Sequence, residues 1–199
     1  MAESSNNQII ECLAKTSDAY GITSSPVVSV VVPTYRRDSV LERALLSLVS
    51  QTYEWVEIVV VDDNASREWN QKVNDIICNL SANHQQKIIH IMNRENLGSA
   101  ETRNVGIRAS SGEYITFLDD DDVYLPDKIK NQVMHMLKER SDYSITDIAL
   151  FSEDDKLVAR RNRCYIKGCG KTELLRYHLM HHMTCTDTMM FKRDYLFGI

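Results

Sequence analysis

The sequence predicts an α/β fold: a doubly wound, mostly parallel sheet with helices on both faces. Short and almost continuously apolar segments, typical of strands buried on both faces, alternate four times with amphipathic helical patterns. The connections between these segments are short, as in compact α/β units. The chain has 199 residues, of which 43% are hydrophobic and 26% charged, so it can form a globular domain with a sizeable core.

Most predicted elements begin or end at residues with a clear local preference. Pro33 ends the first strand, and Ser39 with Glu42 has the spacing of a capping box at the start of the first helix. Ser66 can cap the second helix, and Pro126 suits the first turn of the fourth. The predicted elements are strand 28–32, helix 39–51, strand 56–61, helix 66–80, strand 88–92, helix 99–108, strand 114–118 and a helix from Pro126.

The two ends of the chain carry weaker patterns. Residues 1–25 are rich in Ser, Asn and Thr, and we expect a loosely packed leader that is partly helical. The elements expected after Tyr143 are strands 145–152 and 157–166, a helix at 172–180 and a strand at 188–191. Because no linker-like segment interrupts the remainder, residues 26–199 are expected to form one domain.

Charge and cysteine content narrow the class of protein. The net charge of −5 argues against a nucleic-acid binder, which usually presents a basic face. It allows a small anionic ligand, because a bound metal ion can reverse the local charge. Five cysteines without a Cys-x-x-Cys pair suggest free thiols in a reducing cytosol. With neither a signal peptide nor a transmembrane segment evident, we expect a cytoplasmic protein, with peripheral association at the inner face of the membrane left open.

Polar residues follow each of the four main predicted strands. They are 33–37 after the first strand, 62–64 after the second, 93–98 after the third and 119–122 after the fourth. In an open α/β sheet, ligands bind beyond the carboxyl ends of the strands, near the point where strand order reverses. One edge of the sheet is therefore expected to collect an aromatic ring, arginines and a group of carboxylates.

The run of four aspartates at 119–122 indicates a metal site. In an extended segment Asp119 and Asp121 would share one side, and Asp120 and Asp122 the other. Two carboxylates ~5 Å apart repel by roughly 3 kcal/mol at an effective dielectric of about 20, so a cation or hydrogen-bond donors must offset the repulsion. Oxygen ligands suit Mn²⁺ or Mg²⁺. The alternative is an exposed acidic turn next to the following helix, and Asp122 fits that role best.

Other residues at this edge have alternative roles. Asp63 could accept hydrogen bonds from a base or ribose, or it could act as a turn or cap residue, a role that Asp62 fits better. Tyr35 could stack on a base or pack over the first helix. Arg103 could neutralise a phosphate or lie exposed on its helix.

A possible zinc site involves His178, His182 and Cys185. Their spacing is close to that of zinc ligands, but their order differs from that of common zinc fingers and a second ligand pair is missing. Surface, acceptor-groove or capping roles fit these histidines better.

Several segments, taken in their order along residues 27–140, strongly resemble family 2 glycosyltransferases. The segments are 28–37 (VSVVVPTYRR), 51–53 (QTY), 60–66 (VVDDNAS), 96–100 (NLGSA), 102–107 (TRNVGI), 112–115 (GEYI) and 117–122 (FLDDDD). The resemblance implies the GT-A fold, a nucleotide-diphosphate sugar donor, most often a UDP-sugar, and Mn²⁺ or Mg²⁺. It also implies metal-dependent sugar transfer to a glycan or lipid-linked acceptor, with inversion.

The resemblance also assigns site residues by position. The residues expected to contact the donor nucleotide are Pro33, Thr34, Tyr35, Arg37, Asp63, Arg103, Asp119 and Asp120. Asp121 resembles the metal ligand of the family's Asp-x-Asp motif. Family members generally continue further, so the general base is expected beyond Ile199, and Asp187 is not assigned to that role. The alternative function is a nucleotide-sugar-binding module or truncated fragment without turnover.

Overall fold

The computed structural model describes residues 25–152, 156–161 and 185–198. The expected leader, the helix at 172–180 and the histidines of the possible zinc site lie outside these ranges. The elements in chain order are β1 (Val28–Thr34), α1 (Asp38–Val49), β2 (Val56–Asp62), α2 (Arg67–Asn83), β3 (Lys87–Met92), α3 (Gly98–Ala109), β4 (Tyr114–Phe117), α4 (Lys128–Glu139), β5 (Tyr143–Ile145), β6 (Ile148–Phe151), β7 (Leu157–Arg161), a 3₁₀ turn (Thr186–Thr188), β8 (Met189–Lys192) and α5 (Arg193–Phe197).

The main sheet has six strands in the order β3-β2-β1-β4-β8-β5. Strands β3, β2, β1 and β4 are parallel, whereas β8 runs antiparallel to both β4 and β5. Strands β6 and β7 form a separate antiparallel pair. The chain moves from β1 outward to β3 and then returns to the other side of β1, so strand order reverses between β1 and β4. This reversal is the switch point at which open α/β sheets bind ligands.

Buried strands place side chains on both faces of the sheet. Val28, Val30 and Val32 face a core built with residues of α1, α2 and α4, whereas Val31 faces a second core that includes residues of α3. The alternation follows from the two-residue period of a strand. The predicted mostly parallel sheet with helices on both faces is confirmed. Within the described ranges, every helix is too short or too polar to cross a membrane.

Two local predictions are wrong. The capping box at Ser39 fails because α1 already begins at Asp38: the Arg37 carbonyl accepts from the N–H groups of Val40 and Leu41, at 3.3 and 3.1 Å. The expected strand 145–152 is two strands, because β5 pairs with β8 while β6 pairs with β7. Strand pairing over long sequence distances decides this break, and the local apolar pattern does not contain that information.

Candidate functional site

A cavity of about 520 Å³ opens at the switch point, between the carboxyl ends of the parallel strands and the amino end of α3. The nine residues expected to bind donor or metal all line it: Pro33, Thr34, Tyr35, Arg37, Asp63, Arg103, Asp119, Asp120 and Asp121. The lining also includes Asn96, Gly98, Ser99 and Thr102. Parallel strands end at the same edge, which is why segments far apart in sequence meet here.

The four aspartates do not alternate as an extended strand would. Strand β4 ends at Phe117, and the N–H of Asp122 donates to the carbonyl of Asp119 at 3.1 Å, which closes a turn. The predicted alternation is therefore wrong, because the chain turns immediately after the strand. Asp120 and Asp121 both contact Arg37, whereas Asp122 lies on the side of Asp119.

Two arginines pair with three of the four aspartates of this turn. The Nη1 of Arg37 lies 3.3 Å from the Oδ1 of Asp120 and also donates to Asp121. The charges of Asp121 and then Asp120 raise the pKa of Arg37. Arg103 donates from Nη2 to Asp119 and from Nη1 to the Ser99 carbonyl. Its side chain is 17% exposed, so it is not the freely exposed helical arginine considered as the alternative.

Thr34, the last residue of β1, and Tyr35, the first residue of the following loop, have different environments. Thr34 is buried, whereas Tyr35 is 42% exposed and has the guanidinium of Arg36 at 5.1 Å from its ring centroid. A half-exposed ring at a cavity wall is available for stacking on a flat ligand group. Asp120, which also lines the cavity, is buried, and burial raises its pKa.

Asp63 holds the amino end of α3 in place. Its Oδ1 accepts from Asn93 Nδ2 at 2.8 Å and from the Leu97 N–H at 2.9 Å, and its Oδ2 accepts from the Gly98 N–H at 3.0 Å. Gly98 has φ +76°, a conformation that glycine adopts without penalty. Asp63, the residue that follows β2, thus caps α3, since Leu97 makes no capping hydrogen bond with its own side chain. A capping role was one of the two alternatives considered for Asp63, but the helix expected there was the one after Ser66, not α3.

Asp187 joins the site from the other end of the sequence. Its Oδ1 accepts from the N–H of Asp119 at 2.7 Å, and carboxylate oxygens of Asp119, Asp122 and Asp187 lie within 4.8 Å of one another. Burial, followed by the charge of Asp119 and the hydrogen bond of Asp122, raises the pKa of Asp187 to about 7. Three carboxylates this close offer oxygen ligands for a hard cation. The sequence contained only a weak signal for this residue: a polar side chain next to an expected strand.

Comparisons with known proteins agree with this architecture. Residues 29–197 match the model of glycosyl transferase family 2. The chain is 27% identical over 150 residues to WfgD of Escherichia coli, a UDP-Glc:α-D-GlcNAc-diphosphoundecaprenol β-1,3-glucosyltransferase, covering 72% of this chain and 56% of that protein.

Two solved structures have the same fold. Staphylococcus aureus TarS 1-349 in complex with UDP-GlcNAc superposes with a TM-score of 0.63 at 21% identity, covering 86% of this chain and 47% of that one. Mannosyltransferase PcManGT of Pyrobaculum calidifontis, in complex with GDP-Man and Mn²⁺, superposes with a TM-score of 0.60 at 21% identity, covering 88% and 47%.

The chain spans about half the length of each of these three proteins. The family match nevertheless covers most of the chain, including the strands of the main sheet, except for the first residue of β1, and all residues of the cavity. The sheet has the parallel core and the antiparallel β8 described above, and the neighbours are GT-A glycosyltransferases. The fold is therefore GT-A, and the chain belongs to glycosyl transferase family 2.

Proposed function

We propose that this chain binds a nucleotide-diphosphate sugar, most simply a UDP-sugar, in the switch-point cavity and transfers the sugar to a glycan or lipid-linked acceptor. The main supporting observation is that Arg37 and Arg103 meet a run of carboxylates in one cavity. A diphosphate requires cationic partners, whereas carboxylates alone would repel it. A metal ion on the carboxylates would satisfy both groups, and the arginines would then be free to face the phosphates.

The cavity is also suited to the remainder of such a donor. A volume of about 520 Å³ is within the range of small-molecule and cofactor sites. Tyr35 offers an exposed ring beside Pro33 for the base, and the buried Asp63 and Asp120 offer acceptors for polar groups of the nucleoside or sugar. The donors bound by the two structural neighbours support the same class of ligand for this cavity.

Asp121 is the proposed ligand for Mn²⁺ or Mg²⁺. Its side chain is 49% exposed and lines the cavity, whereas Asp122 and Asp187 are not among the cavity residues. A diphosphate bound in the cavity could therefore share a metal with Asp121. Carboxylate oxygens are ligands that both metals accept, and these ions usually retain phosphate oxygens in their coordination shell. The Mn²⁺ bound by the mannosyltransferase neighbour supports a metal of this kind.

The reaction supported by this arrangement is sugar transfer with a nucleoside diphosphate as leaving group. When bound, the metal supplies Lewis-acid stabilisation of the departing diphosphate. Arg37 and Arg103 would offset the same developing charge by hydrogen bonds from their guanidinium groups. Asp63 would keep the amino end of α3 fixed, and with it the position of Arg103. The acceptor of the E. coli relative, a lipid-linked diphosphate sugar, supports an acceptor of that class here.

The metal assignment is tested by exchanging single carboxylates for amides of the same shape. Asp121→Asn should weaken Mn²⁺-dependent UDP binding by at least about tenfold, since a lost direct ligand should cost no less than a lost outer-shell partner. Asp122→Asn tests the competing ligand set, because Asp122 lies outside the cavity lining and its carboxylate groups with those of Asp119 and Asp187. Equal losses in both variants would contradict the assignment, as would unchanged UDP affinity in Asp121→Asn.

Transfer is tested separately from binding. The protein is incubated with Mn²⁺ and a panel of UDP-sugars, with lipid-linked and glycan acceptors, and the release of UDP is followed. Acceptor-dependent UDP release would support a transferase. Tight UDP binding without release for any donor and acceptor pair would instead favour a nucleotide-sugar-binding module.

A further inference from the structure

We propose that His90, which lies outside the cavity, is a positioning residue for it. Acting through Asp62 and Asn64, His90 fixes the backbone at Arg36, in the middle of the loop that follows β1. Three hydrogen-bonded steps connect β3 to β2 and then to the end of β1. The expected effect on nucleotide affinity rests on the function proposed above, whereas the relay itself does not.

The first step joins His90 to Asp62. The Nε2 of His90 lies 3.3 Å from the Oδ2 of Asp62, and the two side chains are 12% and 0% exposed. A buried carboxylate needs hydrogen-bond donors, and an ionised carboxylate only accepts. His90 therefore donates from Nε2, which fixes its tautomer and satisfies one oxygen of Asp62.

The second step joins Asp62 to Asn64. The other oxygen, Oδ1, accepts from the N–H of Asn64 at 3.0 Å and from its side-chain Nδ2 at 2.7 Å. Asn64 is itself buried. Because its NH₂ group is held by Asp62, the amide cannot flip without losing that bond, and its Oδ1 must point away from Asp62.

The third step reaches the loop of the cavity. The Oδ1 of Asn64 accepts from the N–H of Arg36 at 2.7 Å. Arg36 has φ +54°, a left-handed conformation that residues other than glycine adopt only when the surroundings hold them there. The residues on either side, Tyr35 and Arg37, line the cavity, and Arg37 contacts the acidic turn. The relay thus sets the direction in which both side chains leave the backbone.

The relay would be lost if His90 could no longer donate. Without that donor, one oxygen of the fully buried Asp62 would lose its partner, and the carboxylate would turn toward other donors. Asn64 would then no longer be held in a single orientation. The conformation at Arg36 would relax toward ordinary φ values, and the cavity wall would become mobile.

The relay is tested first in the free protein, by hydrogen exchange at single amides followed by NMR. His90→Phe keeps an aromatic ring but removes the N–H donor. Because the Arg36 amide would then be held less firmly, its hydrogen exchange should accelerate about tenfold. Asn64→Ala removes the acceptor and sets the maximum effect. The Leu45 amide in α1 should be unchanged, and His135→Phe, at an exposed position on α4, is the matched control.

Rescue separates positioning from general packing. His90→Gln retains an N–H donor at a similar reach, so Arg36 should regain protection to within about threefold of the wild type. UDP affinity with Mn²⁺ should follow the same order, falling about tenfold in His90→Phe and recovering in His90→Gln. Unchanged exchange at Arg36 in His90→Phe would overturn the relay. Equal acceleration at Leu45 and Arg36 in both variants would overturn it as well, since it would indicate a loss of global stability.

The two proposals fail in different ways. If exchange at Arg36 accelerates while UDP affinity stays at the wild-type value, the claim that the relay positions the cavity is wrong. If the wild-type protein does not bind UDP at all, the proposed function fails, and hydrogen exchange at Arg36 still decides whether the relay exists.

Discussion

Replacing Gly106 with alanine should both destabilise the protein and disturb its cavity. Gly106 lies on α3 where the helix meets the sheet. A Cβ there would lie 2.3 Å from Val31 Cγ1 and 3.1 Å from Val61 Cγ2, and ordinary contacts are 3.4–4 Å. The helix must therefore move outward by about 1 Å, since the two valines belong to well-packed central strands. Arg103 is three residues earlier on the same helix and pairs with Asp119, so this movement reaches the site.

The expected magnitude is the difference between two opposing effects. Overpacking a core costs about 1–3 kcal/mol, and replacing glycine with alanine inside a helix recovers about 1 kcal/mol. A net loss of about 1 kcal/mol is expected, which for a chain of this size lowers Tm by about 2–4 °C. Moving Arg103 outward with α3 would take its guanidinium away from the phosphates, which should weaken UDP binding in the presence of Mn²⁺ by about tenfold, the usual order for a charge-assisted hydrogen bond.

The assay combines thermal unfolding with calorimetric UDP titration. Gly112→Ala is the matched control: a Cβ there would lie 2.7 Å from the Val27 carbonyl, at the opposite edge of the sheet. It should lower Tm without changing the UDP affinity of the folded protein. Wild-type stability and affinity in Gly106→Ala would refute the close approach of α3 to the sheet. An equal loss of affinity in Gly112→Ala would refute the link through Arg103.

Two further predictions concern charged groups. Burial favours the neutral form of Glu57, but hydrogen bonds, first among them the one from Lys87, lower its pKa from 4.5 to about 2. The ionised carboxylate therefore stabilises the fold above pH 4.5, and this contribution is lost as pH falls toward 2. Glu57→Gln should lower the free energy of unfolding at pH 7 by about 1–3 kcal/mol and flatten its dependence on pH between 4.5 and 2, measured by urea unfolding. Arg37→Gln should strengthen the binding of Mn²⁺ alone by up to about fivefold, because the cation that competes for Asp121 is gone. The same change should weaken UDP binding with Mn²⁺ by about tenfold, because the phosphates lose a cationic partner. Weaker binding of Mn²⁺ or tighter binding of UDP would contradict the proposal that Arg37 leaves Asp121 to face the phosphates.

The parallel part of the fold was predictable because its signals are local. Strands buried on both faces form continuous apolar runs, and β1 and β2 extend only slightly beyond their predicted ranges. The antiparallel half was less predictable. Whether β5 pairs with β8 or continues into β6 depends on partners distant in sequence.

The composition of the cavity was predictable, but the partners of its residues were not. Every expected residue lines the cavity because the carboxyl ends of parallel strands meet at one edge. The turn closed by Asp122 separates the aspartates in a way that strand alternation does not predict. The capping of α3 by Asp63 and the contribution of Asp187 both depend on tertiary contacts, which a single sequence does not contain.

The most direct test of the proposed nucleotide–metal site is a calorimetric titration of the protein with UDP, carried out with Mn²⁺ and again with EDTA. If Asp121 holds a metal that the diphosphate also requires, UDP should bind tightly with Mn²⁺ and at least about tenfold more weakly in EDTA. UDP binding of equal strength in both conditions would contradict the metal site. No binding in either condition would contradict the nucleotide site itself.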